Sequence, residues 1–428
     1  VRFVHAADLH LDSPLRGLDR YEGPLVERFR LATRYALENL IALCLDERAD
    51  LLVIAGDLYD GSWRDYRTGL FFHRQLARLR EVGTEVVIAR GNHDAESAVA
   101  KASSLRAPEH VHVLPSKAPK TLRFEALGVA VHGQSFGERD VRDDLAAAYP
   151  TPVAGLFNIG VLHTALTGRE GHDAYAPCTV ETLARRGYDY WALGHVHARE
   201  VVSTNPWIVF PGNLQGRHAR ETGPKGATVV TVDDGRVTAV EARALDVVRW
   251  EQVTLAADEG DGPEEVVERA RARLEEAVAG ADGRPLAVRL TVVGRTRAHT
   301  QLAGDALRWE TELRALAAEV GGGDALWLEK IQLRTSSAID LATLAAREDA
   351  LAELVRAVRA LPDGSDPDLT AELVASFAEL AKKLPPELRD GPDGVRLDDP
   401  ATFAALAPEV EALLVERLVR APDPEGAR

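Results

Sequence analysis

The stretch Leu51-Leu52-Val53-Ile54-Ala55-Gly56-Asp57-Leu58-Tyr59-Asp60 decides how this chain is read. Five apolar residues in a row predict a strand, and the Gly-Asp that follows lets the backbone turn sharply onto a carboxylate. Short apolar runs of this kind, alternating with amphipathic helical stretches, mark a layered α/β or α+β fold, whose chemistry sits in the loops beyond the strand ends.

The pattern recurs along the chain. Residues 1–7 lead into Asp8-Leu9-His10, and 85–89 lead into Gly91-Asn92-His93-Asp94. Residues 158–162 lead into His163, and 190–193 into Gly194-His195-Val196-His197; residues 129–132 form a further strand candidate. Between the first three strands, periodicity predicts helices over 24–47, opened by Gly23-Pro24, and over 68–82, closed by Gly83. Runs at 208–210, 227–232 and 236–244, with Asp233-Asp234-Gly235 as a turn, predict a hairpin-rich return to the sheet.

A lone histidine or a single Gly-Asp pair in a loop is more often solvated than a ligand. Five such signals in succession, each at a strand end, select metal chemistry. The mixture of imidazole, carboxylate and amide suits a borderline dication such as Mn²⁺, whereas structural zinc favours paired thiolates. The chain has two cysteines, Cys44 and Cys178, and Cys44 falls on the apolar stripe of the first helix. Two metals about 3.5–4 Å apart call for a bridging carboxylate, which Asp57, from the middle of the series, can supply.

With 428 residues the chain has room for two or three domains. The pattern divides it at 1–246, at 247–334 (strand, helix, strand, helix, strand; a compact α+β domain) and at 335–428, which is helical and acidic. No apolar run is long enough for a membrane span and no leader pattern opens the chain, so the expectation is a cytoplasmic protein with no membrane partner. The net charge of −16 argues against a nucleic-acid partner on its face. However, residues 334–428 hold 19 acidic and 11 basic residues, a net −8, so half of the excess lies away from the metal motifs.

The set Asp-x-His, Gly-Asp-x-x-Asp, Gly-Asn-His-Asp, a lone His and Gly-His-x-His resembles the calcineurin-like metallophosphoesterases, and within them the SbcD/YhaO type of DNA repair nuclease. The opening Phe3-Val4-His5-Ala6-Ala7-Asp8-Leu9-His10-Leu11-Asp12-Ser13-Pro14-Leu15 and the later Phe210-Pro211-Gly212-Asn213-Leu214-Gln215-Gly216-Arg217-His218 look particularly like the YhaO branch. The resemblance implies an α+β fold: a two-sheet sandwich flanked by helices, then a small α+β capping domain and a helical C-terminal region. It implies that Asp8, His10 and His197 hold one metal, that Asn92, His163 and His195 hold the other, and that Asp57 is shared. It further implies that His93 assists the leaving group and that Asp94 orients His93. Where some archaeal relatives carry a second histidine at the end of the Gly-Asp motif, this chain has Asp60.

The implied activity is metal-dependent DNA phosphodiester hydrolysis in repair, as an exonuclease and with endonuclease cleavage left open. The implied partners are DNA, an SbcC-like coiled-coil ATPase docked by the C-terminal helices, and a second copy of the chain in a homodimer. The basic stretch with Arg217, His218, Arg220 and Lys225, relieved by Glu221, reads either as a solvated loop or as a DNA-backbone contact. Tyr59, Trp63 and Tyr66 read either as base-stacking aromatics or as plain packing. Two other functions stay in play: a phosphoesterase acting on small nucleotides or phosphomonoesters, and a scaffold that binds DNA or an ATPase without catalysing. His5 and His132, inside strands, read as structural.

Overall fold

In the computed structural model, the described residues are 1–13, 15, 28–60, 65–97, 108–167, 175–338, 344–360, 367–384, 396–397, 399–407 and 410. They divide into two compact units: Val1–Val253 with Glu275–Arg289 and Ala317–Lys330, and Thr254–Leu274 with Leu290–Leu316 and Ile331–Arg428.

Two six-stranded mixed sheets build the first unit. In sheet order, the first contains β12 (Arg236–Ala244), β11 (Gly226–Asp233), β1 (Arg2–Ala6), β2 (Leu51–Ala55), β3 (Glu85–Ala89) and β4 (Val111–Val113). The second contains β5 (Lys120–Phe124), β6 (Val129–Gly133), β7 (Phe157–His163), β8 (Tyr190–Gly194), β10 (Trp207–Phe210) and β9 (Glu200–Thr204). β1, β2, β3 and β4 run parallel, as do β6, β7, β8 and β10.

Strand alternation places side chains on both faces. In β2, Leu51, Val53 and Ala55 enter a core shared with Phe3, Val87, Val131, Ile159, Val161, Tyr190 and Val209 from both sheets. Leu52 and Ile54 face the other way, toward helices Ala32–Asp46 and Tyr66–Ala77. Because both faces are covered, β2 reads as an unbroken apolar run. Cys44 is fully buried in that outer layer with Ala36, Leu37 and Leu40. On the far side of the second sheet, helix Val180–Arg185 lays Leu183 over Trp191, Ile208 and Phe210.

The central strands follow the apolar pattern closely; β4, β5 and β9 do not appear in it. They are the outer strands of their sheets, and β5 and β9 are largely half-exposed and carry polar residues. Of the helix predicted over 24–47, residues 28–30 are helical and, after a turn at 31, Ala32–Asp46 are too; 24–27 lie outside the described residues. The helix predicted over 68–82 starts at Tyr66, where the Asp65 side chain accepts from Arg67 N–H. It tightens to a 3₁₀ turn over Arg78–Val82 and stops at left-handed Gly83.

Farther along the chain come β13 (Arg249–Ala256), helix Pro263–Ala279, β14 (Leu286–Thr296), helix Ala306–Val320 and β15 (Leu326–Ser337), the strands forming a three-stranded sheet. Helices Ala350–Ala360 and Pro367–Lys383 come next. On the first of these, Val355 packs against Leu344, and Val358 against Ala407. Among the described residues, no helix is long and apolar enough to cross a membrane.

Candidate metal centre

The loops after β1 and β2 run on as a pair. Asp8 N–H donates to Gly56 O at 3.0 Å, His10 N–H to Asp57 O at 3.0 Å, and Leu11 N–H to Leu58 O at 2.9 Å. Asp8, His10 and Asp57 adopt φ of 52°, 42° and 51°, and His195, after β8, adopts 96°. Each such left-handed residue costs on the order of 1–3 kcal/mol and persists only where its surroundings enforce it. Four of them in one site mark a place where the backbone is bent to aim side chains.

The donor atoms of Asp8, His10 and His197 all lie within 4.8 Å of one another, as do those of Asp8, Asp57 and His163. Asp57 Oδ2 stands between the groups, 3.8 Å from His10 Nε2 and 3.5 Å from His163 Nε2. Asn92 opens the short helix Asn92–Glu96, and its Oδ1 lies 2.9 Å from His163 Nε2. The His195 ring is centred 5.1 Å from that of His163, and the His195 N–H donates to both oxygens of Asp8. A Cβ on Gly91 would sit 2.3 Å from Asp57 Oδ1, and one on Gly194 only 1.8 Å from Ala55 O, so both glycines make room for the cluster.

The protons in this cluster leave a gap that a cation fits. A neutral imidazole has one N–H. His10 Nδ1 is 3.1 Å from Asp60 Oδ1, and His197 Nδ1 is 2.6 Å from Glu221 Oε1. Giving each N–H to its carboxylate leaves the two Nε2 atoms as bare lone pairs, 3.3 Å apart. His163 gives its N–H to Ala55 O at 3.0 Å, so its Nε2 lone pair meets the acceptor oxygens of Asn92 and Asp57. Acceptors converging on acceptors repel unless a positive charge lies between them.

Electrostatics agree. Burial and the Arg217 charge push His10 down to about 3, and burial lowers His163 as well. Burial beside Asp57 pushes the Asp8 carboxyl well above its usual range. Burial opposes ionisation of Asp57 too, but the surrounding His163, His10, His93 and His195 outweigh it and keep Asp57 low.

His93 stands at the rim, its side chain 35% exposed and its ring centred 5.0 Å from that of His10. Its backbone N–H donates to Asp57 Oδ1 at 3.0 Å. Its Nδ1 lies 3.3 Å from Asp60 Oδ1, which corrects the expectation that Asp94 orients this ring. Asp94 is occupied elsewhere: its carboxylate accepts the backbone N–H groups of Leu58, Tyr59 and Gly91, stitching the second and third loops together. Burial and the neighbouring Asp57 raise Asp94 to about 7.

Several of the residues read as DNA contacts are engaged within the protein. Tyr59 is fully buried, edge-on to Phe72, and offers no face to a base. Tyr66 is 57% exposed, and Trp63 lies outside the described residues. Arg217 reaches Asp60 at 3.5 Å and Glu221 at 3.7 Å, and His218 reaches Glu221 at 3.4 Å. Lys225 is buried and donates to His197 O. Arg220 is thus the exposed cation of that stretch. His5 and His132 are satisfied inside the sheets, His5 by Tyr190 and Leu193, His132 by Thr121 and Asn158.

Residues 1–199 match the calcineurin-like phosphoesterase family model, and residues 250–336 match the model of the middle domain of metallophosphoesterase YhaO. The uncharacterized metallophosphoesterase YhaO of Bacillus subtilis is 36% identical over 299 residues, 68% of this chain and 71% of its own. The DNA double-strand break repair protein Mre11 of Methanopyrus kandleri is 27% identical over 325 residues, 62% of this chain and 67% of its own. The chain belongs to the YhaO-type calcineurin-like metallophosphoesterases, a hydrolase family that acts on phosphoesters with divalent metal ions.

Proposed function

We propose that this protein is a Mn²⁺-dependent DNA phosphodiesterase that trims DNA ends in repair. The observation that carries the reading is His93, a partly exposed imidazole held by Asp60 at the edge of two converging donor clusters. Asp8, His10 and His197 would hold one ion and Asn92, His163 and His195 the other, with Asp57 between. Two dications there would supply an activated water and offset charge building on the phosphoryl oxygens.

The chain's own residues supply the rest. Asp60 backs His93 at Nδ1, and in the doubly protonated ring the Nε2–H is the proton given to a departing sugar oxygen. General-acid help of this kind contributes about 10²–10⁴-fold. Arg220, on the exposed side of its loop, offers a contact to a neighbouring phosphate. The similarity to Mre11 supports a polymeric substrate over a small phosphoester. Helix Pro367–Lys383 has no buried residue and exposes Phe377 and Leu380, which suits docking of an SbcC-like ATPase.

The test is purified protein with Mn²⁺ on end-labelled single- and double-stranded DNA, beside a panel of cyclic nucleotides and phosphomonoesters, with and without chelator. Chelator-sensitive DNA cleavage outpacing every small ester is the expected result. Faster turnover of a small ester would replace DNA as the substrate, and binding without any turnover would leave a scaffold.

A further inference from the structure

We infer that Glu221 is a positioning residue for the metal centre, fixing the tautomer and direction of His197. The inference rests on reading His197 as a ligand.

Glu221 is 7% exposed and its two oxygens have separate tasks. Oε2 is anchored by two donors, Arg217 N–H at 2.7 Å and Asn213 Nδ2 at 2.9 Å. Oε1 is presented to His197 Nδ1 at 2.6 Å, with Arg217 at 3.7 Å and His218 at 3.4 Å beside it.

The loop carrying Glu221 is itself pinned. Gln215 donates to Val248 O and accepts from Val247 N–H, and Trp250 Nε1 donates to Gly216 O. The backbone of His197 is gripped from the same loop, its carbonyl accepting from Lys225 Nζ at 3.1 Å and Asn213 N–H at 3.3 Å. Ring and backbone of one histidine are therefore set by one loop, 213–225. A carboxylate on the far nitrogen of a ligating histidine fixes the ring and strengthens its donor atom.

The amide variant separates this role from mere structure. In Glu221→Gln, the Oε2 position must remain an oxygen, because two N–H groups point at it. The NH₂ is then forced onto His197 Nδ1, which must become an acceptor and carry its proton on Nε2, the atom aimed at His10. A purely structural glutamate predicts no such change.

Metal-free wild type, Glu221→Gln and Glu221→Asp should be compared by long-range ¹H–¹⁵N spectra of the imidazoles, then titrated calorimetrically with Mn²⁺, alongside His197→Ala. The expected result is an Nδ1–H ring in wild type and an Nε2–H ring in Glu221→Gln, with one of two Mn²⁺ affinities reduced about 100-fold. Glu221→Asp keeps the charge but shortens the reach, so it should lose about tenfold. If the amide variant does not fold, the aspartate variant decides alone, and wild-type affinity there overturns the inference. Unchanged tautomer and affinity in Glu221→Gln, with an ion lost in His197→Ala, overturns the inference while leaving His197 a ligand. Two ions retained in His197→Ala overturns both.

Discussion

The two halves of the donor cluster are held in different ways. His10 and His197 each lean on a carboxylate, Asp60 and Glu221, carried by loops outside the sheets. His163 leans on Ala55 O, a backbone carbonyl at the end of β2 in the opposite sheet. A carboxylate strengthens the imidazole behind it and can be lost in one substitution; a carbonyl is weaker backing that no side-chain change removes. The first half is tunable and the second is built into the fold.

The largest blow to that distinction comes from the residue between the halves. Asp57→Ala should leave fewer than two bound Mn²⁺ by calorimetry and abolish turnover, since both clusters lose a donor. His93→Ala should leave both halves alone: two ions still bind, while cleavage falls by about 10²–10⁴-fold. Undiminished turnover would remove His93 from the mechanism. Gly194→Ala strikes the carbonyl-backed half, because its methyl would collide with Ala55 O; a stability loss of about 3 kcal/mol in denaturant unfolding is expected.

A subtler test needs no mutation of a shared residue. If carboxylate backing strengthens its half, Mn²⁺ should bind wild type in two steps separated by about 10–100-fold. His10→Ala should erase the tighter step and His163→Ala the weaker one, whereas two equal steps would dissolve the comparison. The smallest effect belongs to Arg220→Ala, outside both halves. It should lower the salt dependence of DNA affinity by about one unit of log–log slope without changing metal binding.

Much of the centre was legible in the sequence because its side chains are carried by the first turns beyond the strands. The buried central strands announce themselves as apolar runs, and Asp8, His10, Asp57, Asn92, His163, His195 and His197 come together because each stands at or just past a strand end. The edge strands β5 and β9 stay hidden, since half-exposed edges carry no hydrophobic signature. Pairings made across the fold were also hidden. Asp94 is adjacent to His93 in sequence yet turns back to cap loops, while Asp60, 33 positions away, holds the ring. Glu221 meets His197 at a separation of 24. Its one trace in the sequence is a lone acid within a basic run, which reads as a surface feature until the loop is seen folded inward around it.

Ala55 O has a wider consequence. One oxygen receives His163 from β7 and lies against Gly194 of β8, so a strand end of the first sheet touches two strand ends of the second. The gap between the sheets at these strand ends, closed to backbone contact where facing sheets typically stand about 10 Å apart, then sets the distance between the donor groups. The centre acts as a gauge of that gap. Hydrostatic pressure, or a core substitution far from any ligand that lets the layers slide, would register as altered coordination before any strand melted.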